Sequence, residues 1–357
     1  MMTPAVRAPA VSDRQGRFAV LLNANARQVA SGIRRALERV VPSEDVFLSR
    51  SPEEASLIAD TVVDRGYGTV FTGGGDGTFV SWVNQILDRT ARAGAPAPRF
   101  GVLALGTGNA VAEVVGARRD AHLSQISTFA AGAACCVRRL DLLVCDGRRT
   151  PFAGVGIDAA VINDYSWLKG ALGSTALAPI ASGLSGYGLA VALRSAPRYL
   201  LERTPGYCEI VNVGAAAHRL DARGRQVGRA YRRGELLYSG PCVMAAASTV
   251  PFYGFGLRAF PFADTRPGML QLRVAAQLSV PAVVWNLKKV WSGAFEHPGL
   301  LDFHVERVAV RFERPVPLQI GGDAAGTREQ VTFGMAPSPV ELVDFAASAR
   351  RPHLLPN

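Results

Sequence analysis

A run of glycines between an apolar strand and an apolar-periodic helix constrains the fold of this chain more than any other feature. Thr69 to Thr72 has the pattern of a buried strand, the chain then reads Gly73-Gly74-Gly75-Asp76-Gly77-Thr78, and a helix follows from Phe79. Glycines permit backbone conformations closed to other residues, and the first turn of a helix offers free N–H groups with partial positive charge. The segment therefore predicts a parallel α/β sheet with a phosphate-binding turn.

A second glycine turn follows the next predicted strand. Arg99 to Leu105 leads directly into Gly106-Thr107-Gly108-Asn109, and a helical segment begins near Ala110. This turn adds backbone amides, the Thr107 hydroxyl and the Asn109 side-chain amide to the donors of the first. The two strand-to-helix turns lie about 32 residues apart, and taken alone the second is equally consistent with an ordinary turn and helix cap.

The first turn differs from the two familiar nucleotide signatures, because it lacks both the lysine of GxxxxGK[ST] and the spacing of GxGxxG. Backbone amides and Mg²⁺ must then balance the phosphate charge. Asp76 stands out in such a loop, since a carboxylate beside phosphates is repulsive unless it holds a metal, a proton or a substrate hydroxyl. The alternative interpretation is a tight turn in which Asp76 caps a helix.

The pattern of the chain changes after about Leu140. The 357 residues are enough for two domains, and the early strand and helix alternation gives way to short β-type runs separated by Gly, Pro and charged turns. We predict a mobile leader at 1–16, an α/β nucleotide-binding domain at 17–140, an antiparallel β-sandwich at 141–345 and a tail at 346–357, with the active site in the interdomain cleft. Residues 163–203 form an apolar insert in the second domain. Its uncharged part, Gly170 to Leu193, holds five glycines and Pro179 and is too weakly apolar to predict a membrane span.

Charge and cysteine usage exclude several classes of protein. The formal charge is +10, and only three of the 39 basic residues are lysines. No block of five or six basic residues occurs, so the sequence gives little support for nucleic-acid binding. The five cysteines lack CxxC spacing, which argues against a zinc site or a disulfide framework and fits a reducing cytoplasm.

Together the two turns resemble the diacylglycerol kinase catalytic-domain family, which includes bacterial diacylglycerol and undecaprenol kinases, sphingosine kinases and ceramide kinases. The resemblance extends along most of the chain. Asn23 stands where the family has Asn-Pro, Ser49 matches a nucleotide-contacting threonine, and Gly154 to Ala159 is similar to a G-x-D-A segment that contains Asp158. Pro261-Phe262-Ala263 and Gly268 to Leu272 resemble a P-x-A…D-G-x-L-x-L stretch of the second domain.

The resemblance implies an ATP-dependent lipid kinase that uses Mg²⁺ and phosphorylates the hydroxyl of a diacylglycerol, sphingoid base or ceramide. It implies Asp323 as the catalytic base, with Asp76 orienting the hydroxyl or contacting Mg²⁺. The alternative for Asp323 is a turn aspartate between Gly322 and Ala324. The nucleotide-binding residues that it implies are Asn23, Ser49, Gly73, Gly74, Gly75, Asp76, Gly77, Thr78, Phe79, Gly106, Thr107, Gly108 and Asn109. For the lipid we predict contacts with Asp158, Trp167, Leu177 and Leu184, whereas no ligand set for a structural metal can be assigned.

Four departures from the family pattern bear on activity. Ala24 replaces the proline after Asn23, and Ala110 and Pro267 stand where members carry Asp. The family D-G-E motif reads Gly321-Gly322-Asp323, so one acid is lost and the other is a methylene shorter. These changes keep open a catalytically silent lipid-binding protein, and the shared GGDG-type loop keeps open a soluble-substrate kinase of the NAD kinase type.

The basic charge and the absence of a convincing span predict a cytoplasmic protein that associates peripherally with the inner face of an anionic membrane. Its partners would be a lipid alcohol and the membrane surface, without nucleic acid. A homodimer is an expectation taken from the family resemblance alone.

Overall fold

The computed structural model describes residues 17–26, 31–106, 108–132, 135–157, 159, 206–254, 256–278 and 280–350. The leader 1–16 and the insert 163–203 lie outside these residues. The chain divides into two units, one made of Met1–Leu140 together with Val340–Asn357 and the other of Asp141–Pro339.

The first unit alternates strands and helices, as the sequence predicts. Its elements are β1 (Phe18–Asn23), α1 (Ser31–Leu37), a short 3-10 helix (Ser43–Asp45), β2 (Val46–Ser49), α2 (Pro52–Asp64), β3 (Thr69–Gly74), α3 (Asp76–Ala93), β4 (Arg99–Ala104), α4 (Ala110–Val115), α5 (His122–Ala130), β5 (Cys136–Leu140), β18 (Val340–Asp344) and α8 (Phe345–Ala349). The six strands form a sheet in the order β2-β1-β3-β4-β18-β5, in which β1 to β4 run parallel.

The start of α2 shows how local sequence sets an element of this unit. Ser51 caps the helix by accepting a hydrogen bond from the Glu54 N–H at 3.2 Å, and Pro52 occupies the first helical position. The Glu54 carboxylate reaches back to the N–H of Arg50 at 2.7 Å, one residue before the position that a standard capping box uses. Both ends of the predicted S-x-x-E signature therefore satisfy free amides.

The C-terminal boundary of the predicted second domain is wrong. We predict 141–345 as one β domain and 346–357 as a tail, yet β18 pairs parallel with β4 and antiparallel with β5 inside the first sheet. The ion pair between Arg138 and Asp344 at 2.9 Å and the hydrogen bond from the Cys136 N–H to Ser348 at 2.9 Å also tie this segment to the first unit. The parallel partner of an internal strand cannot be inferred from its own sequence.

The second unit is an antiparallel sheet with two short helices. Its elements are β6 (Leu143–Cys145), β7 (Arg148–Thr150), β8 (Phe152–Gly156), β9 (Gly206–Asn212), β10 (Ala217–Leu220), β11 (Gln226–Tyr231), β12 (Leu236–Cys242), β13 (Met244–Ser248), β14 (Leu270–Ala275), α6 (Val280–Trp285), α7 (Leu287–Ser292), β15 (Leu300–Val305), β16 (Arg307–Ile320) and β17 (Asp323–Met335). Two of the short β-type runs of this half, Val308 to Phe312 and Leu318 to Ile320, are both parts of the long strand β16.

In the described part of the chain, these strands form one 12-stranded sheet around a shared apolar core. The long strand β16 joins the two layers expected of a sandwich, because its first half pairs with β9 and its last residues pair with β8. The antiparallel architecture predicted for this half is confirmed, and the layers are continuous at β16.

A buried ion pair holds neighbouring strands of the second unit together. The Arg273 guanidinium binds both carboxylate oxygens of Asp302 at 2.8 Å, and Gln271 donates a further hydrogen bond to Asp302 at 2.6 Å. Only 9% of Arg273 and 8% of Asp302 are exposed. Removal of one partner leaves the other charge buried and uncompensated, which is costly.

The substitution Asp302→Asn is therefore expected to lower the free energy of unfolding by about 3–5 kcal/mol. Urea denaturation followed by circular dichroism measures this loss. Asp120→Asn is the matched control, because Asp120 forms an ion pair with Arg118 at the surface, where solvent screens such pairs and little change is expected. Equal unfolding midpoints for the two variants would contradict a structural role for the buried pair.

The described residues contain no helix with both the length and the apolar character needed to cross a bilayer.

Candidate active site

The carboxyl ends of β1, β2 and β3 bring the predicted nucleotide residues of the first unit to one edge of the sheet. Asn23 lies opposite Ser49 in the β1 and β2 pairing, and Gly73 lies opposite Leu22 in the β1 and β3 pairing. The Asn23 side chain donates a hydrogen bond to the Thr78 hydroxyl at 3.1 Å and accepts one from the Asn25 N–H at 2.9 Å. Ligands bind at this edge in open α/β sheets.

The two glycine turns are in direct backbone contact. A Cβ atom on Gly106 would overlap Cα and N of Gly75 and would lie 2.8 Å from the carbonyl carbon of Gly74. A Cβ on Gly75 would lie 3.1 Å from the Gly108 oxygen. Only glycine fits where two main chains approach so closely, so the sequence of each turn is explained by the presence of the other.

The first turn leads directly into α3. Gly75 is the N-cap residue and makes no side-chain hydrogen bond to the first turn of this 18-residue helix. The helix dipole adds partial positive charge at the same place. This geometry suits a phosphate group.

Asp76 fastens the second turn to the first. One carboxylate oxygen accepts a hydrogen bond from the Ala110 N–H at 2.8 Å and the other accepts one from the Val111 N–H at 3.1 Å. The residue is 8% exposed, and its negative charge lies at the N-terminus of α4, where it is stabilised. The structure shows Asp76 as a helix-capping residue, which is the alternative interpretation given above. The helix that it caps is α4, although Asp76 itself lies at the start of α3.

The substitution Asp76→Asn is expected to lower the free energy of unfolding by about 2–3 kcal/mol, because one buried N–H loses a charged acceptor and faces an amide NH₂ instead. Thermal or urea unfolding of the variant measures the loss. Asp64→Asn, at an exposed position near the end of α2, is the matched control. Unchanged stability of the Asp76 variant would show that the two amides do not depend on the carboxylate.

Asn109 contributes an open acceptor to the second turn. Its side-chain nitrogen donates to the Gly106 oxygen at 2.9 Å, and its Oδ1 is buried with no hydrogen-bond partner among the described residues. A buried acceptor without a partner is costly, so a bound N–H or O–H group would be favoured there. Ser49 differs, because its hydroxyl is buried and lies 3.4 Å from the Leu22 oxygen.

The prediction that Phe79 contacts the nucleotide is corrected. Its ring is 1% exposed and packs edge-on against Phe100, with ring centroids 6.4 Å apart. Its N–H is also used, since it donates to the Gly75 oxygen at 3.0 Å in the first helical turn. Phe79 is a core residue because it is the first of the apolar residues that recur at helical spacing along the buried face of α3.

Asp323 follows a two-residue hairpin turn in the second unit. Ile320 pairs with Asp323, and the intervening Gly321 and Gly322 have φ of +62° and +86°, the pattern of a type I′ turn. The Gly321 N–H donates to the Phe152 oxygen at 2.9 Å. Gly321 stands where the family resemblance expects Asp, and its left-handed backbone explains why glycine is favoured at that position.

A buried polar residue, Gln319, holds this turn in place, and the sequence does not predict its role. Gln319, which is fully buried, accepts a hydrogen bond from the Gly322 N–H at 3.0 Å and donates to the Tyr253 hydroxyl. The only sequence signal for Gln319 is a polar residue inside an apolar strand. Asp323 is an exposed residue, and partial desolvation raises the pKa of its carboxyl, with Arg148 acting in the opposite direction.

Several predicted site residues lie outside the described residues. They are Thr107 of the second turn and the predicted lipid contacts Asp158, Trp167, Leu177 and Leu184. Their roles stay predictions.

The described residues do not supply a ready set of protein ligands for Mg²⁺. Among them no group of three or more His, Cys, Asp or Glu side chains is close enough to hold a metal ion. Both Asp76 oxygens already accept backbone hydrogen bonds. No protein ligand of Mg²⁺ is identified among the described residues, whereas the glycine turns and the α3 N-terminus fit a nucleotide phosphate.

A cavity at the opposite edge of the first sheet is a weaker candidate for a ligand-binding site than the glycine turns. It measures about 220 Å³ and is lined by residues that precede β3 and β4, among them Tyr67, Gly68, Pro96 and Pro98. Ligand pockets of ~300–1,000 Å³ are typical, and this cavity brings together no glycine turn.

Comparison with known proteins agrees with the geometry of the first unit. Residues 17–139 match the family model of the diacylglycerol kinase catalytic domain. This diacylglycerol kinase match contains both glycine turns, Asn23 and Ser49, and it supports a kinase-type phosphotransferase. None of the curated proteins is similar enough in sequence to match the chain.

Two solved structures from one bacterium have the same fold as this chain over most of its length. A diacylglycerol kinase from Bacillus anthracis is 11% identical with a TM-score of 0.59, and a candidate diacylglycerol kinase from the same organism is 14% identical with a TM-score of 0.63. Each alignment covers 93% of this chain and 98% of the other. The predicted fold, a parallel α/β part followed by an antiparallel β part, is confirmed.

Proposed function

We propose that this protein is an ATP-dependent lipid kinase that transfers the γ-phosphate of ATP to the hydroxyl of a lipid alcohol. The observation that carries the proposal is the contact between the two glycine turns, because Gly106 and Gly75 approach so closely that no side chain fits. The result is a main-chain cradle at the start of α3, suited to a polyphosphate.

Each residue of the cradle has a distinct part in this proposal. The amides after Gly75 bind phosphate oxygens, Asn23 holds the Thr78 hydroxyl in place, and Asn109 Oδ1 accepts a hydrogen bond from the nucleotide. Asp76 is a positioning residue, because it acts through the amides of Ala110 and Val111. Mg²⁺ that arrives with ATP would neutralise phosphate charge.

Asp323 is proposed as the general base. It would take the proton of the lipid hydroxyl while that oxygen bonds to the γ-phosphorus, and the phosphorus–oxygen bond to ADP breaks. A raised pKa makes this carboxylate a stronger base than an ordinary Asp. The Gln319 and Phe152 contacts at the neighbouring glycines hold the turn rigid.

The lipid acceptor and peripheral membrane association are parts of the same proposal. They rest on the diacylglycerol kinase match and on the excess of basic residues, +10 in all. A catalytically silent lipid-binding protein is the second candidate, and it is favoured by Gly321, which takes the place of an acid in the resemblance.

The experiment that tests the proposal incubates the protein with γ-labelled ATP, Mg²⁺ and a mixed lipid extract. We expect label in the organic phase. Label in a water-soluble product would instead indicate a soluble-substrate kinase, and lipid binding without label transfer would indicate the silent protein. A panel of purified lipid alcohols then identifies the acceptor class.

A further inference from the structure

Two short helices of the second unit carry an unusual exposed surface. Trp285, the last residue of α6, is 91% exposed, and Leu287, the first residue of α7, is 57% exposed. The other strongly exposed large apolar residues that the structure describes are separated from one another in sequence: Leu57, Tyr207, Val227 and Leu236. An indole left almost wholly in water beside an exposed leucine marks a contact site for an apolar or interfacial partner.

Exposed basic residues follow these two apolar groups on α7 and lie against its other end. Lys288 and Lys289, two of the three lysines in the chain, follow Leu287 directly and are exposed. Arg258 is exposed at the other end of α7, where its N–H donates to the Trp291 oxygen at 3.0 Å. No Asp or Glu occurs from residue 274 to 295, and no described acid lies within ion-pair distance of these three cations.

We propose that this group, Trp285, Leu287, Lys288, Lys289 and Arg258, is a docking surface for an anionic membrane. The Trp285 ring and the Leu287 side chain would enter the headgroup region, where amphipathic aromatic rings are favoured. The three cations would face the anionic headgroups. A lipid kinase must reach an acceptor in a bilayer, so this surface rests on the proposed function for its purpose.

Charge favours a membrane over a second copy of this chain. A twofold dimer places the same patch of each copy against the other, so the lysines of one copy would approach the lysines of its partner. Like charges held together at an interface are unfavourable. An anionic bilayer satisfies the apolar and the basic groups at once.

The test measures binding to vesicles without ATP, so that it does not depend on catalysis. Vesicles of phosphatidylcholine alone are compared with vesicles made of equal parts of phosphatidylcholine and phosphatidylglycerol. Both are measured at low and at high salt. The variants are Trp285→Ser and the double change Lys288→Gln with Lys289→Gln. Leu57→Ser is the matched control, because Leu57 is an exposed leucine on α2 of the first unit.

We expect the double lysine variant to bind the anionic vesicles roughly 30-fold more weakly at low salt. Trp285→Ser is expected to lower the affinity roughly 10-fold, and the fluorescence shift of the wild type on binding should be reduced in this variant. Leu57→Ser should bind as the wild type does. Kinase activity on a short-chain, water-soluble lipid alcohol should persist in all three.

Binding of both variants at wild-type strength would overturn the proposal. So would a change in oligomeric mass on Trp285→Ser, measured by sedimentation, since that would assign the surface to a second copy. If the wild-type protein binds anionic vesicles, the two variants bind them more weakly, and no phosphate label passes from ATP to lipid, the kinase function is contradicted and the docking surface remains supported.

Discussion

Gly106→Ala is expected to weaken ATP binding by up to about 100-fold, because forcing an extra methyl group into a packed contact costs about 1–3 kcal/mol and each ~1.4 kcal/mol is a factor of ten in affinity. The new methyl group would overlap the Gly75 backbone and lie 2.8 Å from the Gly74 carbonyl carbon. Backbone atoms cannot turn aside as a flexible side chain can, so the two turns must separate. Isothermal titration with ATP and Mg²⁺ measures the change directly.

Gly32→Ala is the matched control for this variant. A Cβ on Gly32 would meet no atom within 4 Å, and the residue lies in helix α1, where alanine is tolerated better than glycine. Circular dichroism of both variants separates loss of the site from loss of the fold. ATP binding by a folded Gly106 variant at wild-type strength would show that the contact between the turns is not the nucleotide cradle.

Asp323→Asn is expected to reduce turnover by about 10²–10⁴-fold, with little effect on ATP binding, because the variant loses general-base catalysis. The asparagine is close in size and cannot accept the proton. Steady-state kinetics with the best acceptor lipid measures kcat and KM separately. Glu329→Gln removes an exposed carboxylate from the same strand, β17, and should leave turnover unchanged.

The pH dependence of turnover gives an independent test of the same residue. Desolvation raises the pKa of Asp323, and a base works only when ionised, so activity should fall as pH decreases through this raised pKa. The acid limb should therefore lie at higher pH than the pKa of about 3.9 of an ordinary Asp. In the Asp323 variant this limb should disappear. A wild-type acid limb that persists in the variant would assign it to another group.

The sheet edge that carries the glycine turns could be predicted from the sequence because the residues that form it are neighbours in the chain. Strands β1 to β4 are short apolar runs, and each glycine turn follows its strand immediately. Parallel strands align their carboxyl ends, so Asn23, Ser49 and Gly74 had to come together once the strands were correct. The contact between Gly75 and Gly106 then explains glycines that the sequence alone could attribute to turn geometry.

What escaped prediction depends on partners distant in the chain. The Asp76 carboxylate is used by amides 34 and 35 residues away, and Gln319 acts through Tyr253, 66 residues away. The place of Phe79 in the glycine motif predicts a nucleotide contact, whereas the apolar periodicity of α3 directs its side chain into the core. The type of a residue indicates which chemistry it can perform. Its burial and its hydrogen-bond partners decide which of its atoms can contact a ligand.

The position of β18 has a consequence for how the protein is made. The family match ends at residue 139, yet the sheet that holds the glycine turns lacks an internal strand until Val340–Asp344 has been synthesised. At ~5–20 residues per second, the intervening Asp141–Pro339 segment delays that strand by roughly 10–40 s. The continuous unit Asp141–Pro339 is synthesised during this delay, while β4 and β5 have unpaired edges that are exposed to chaperones or to aggregation.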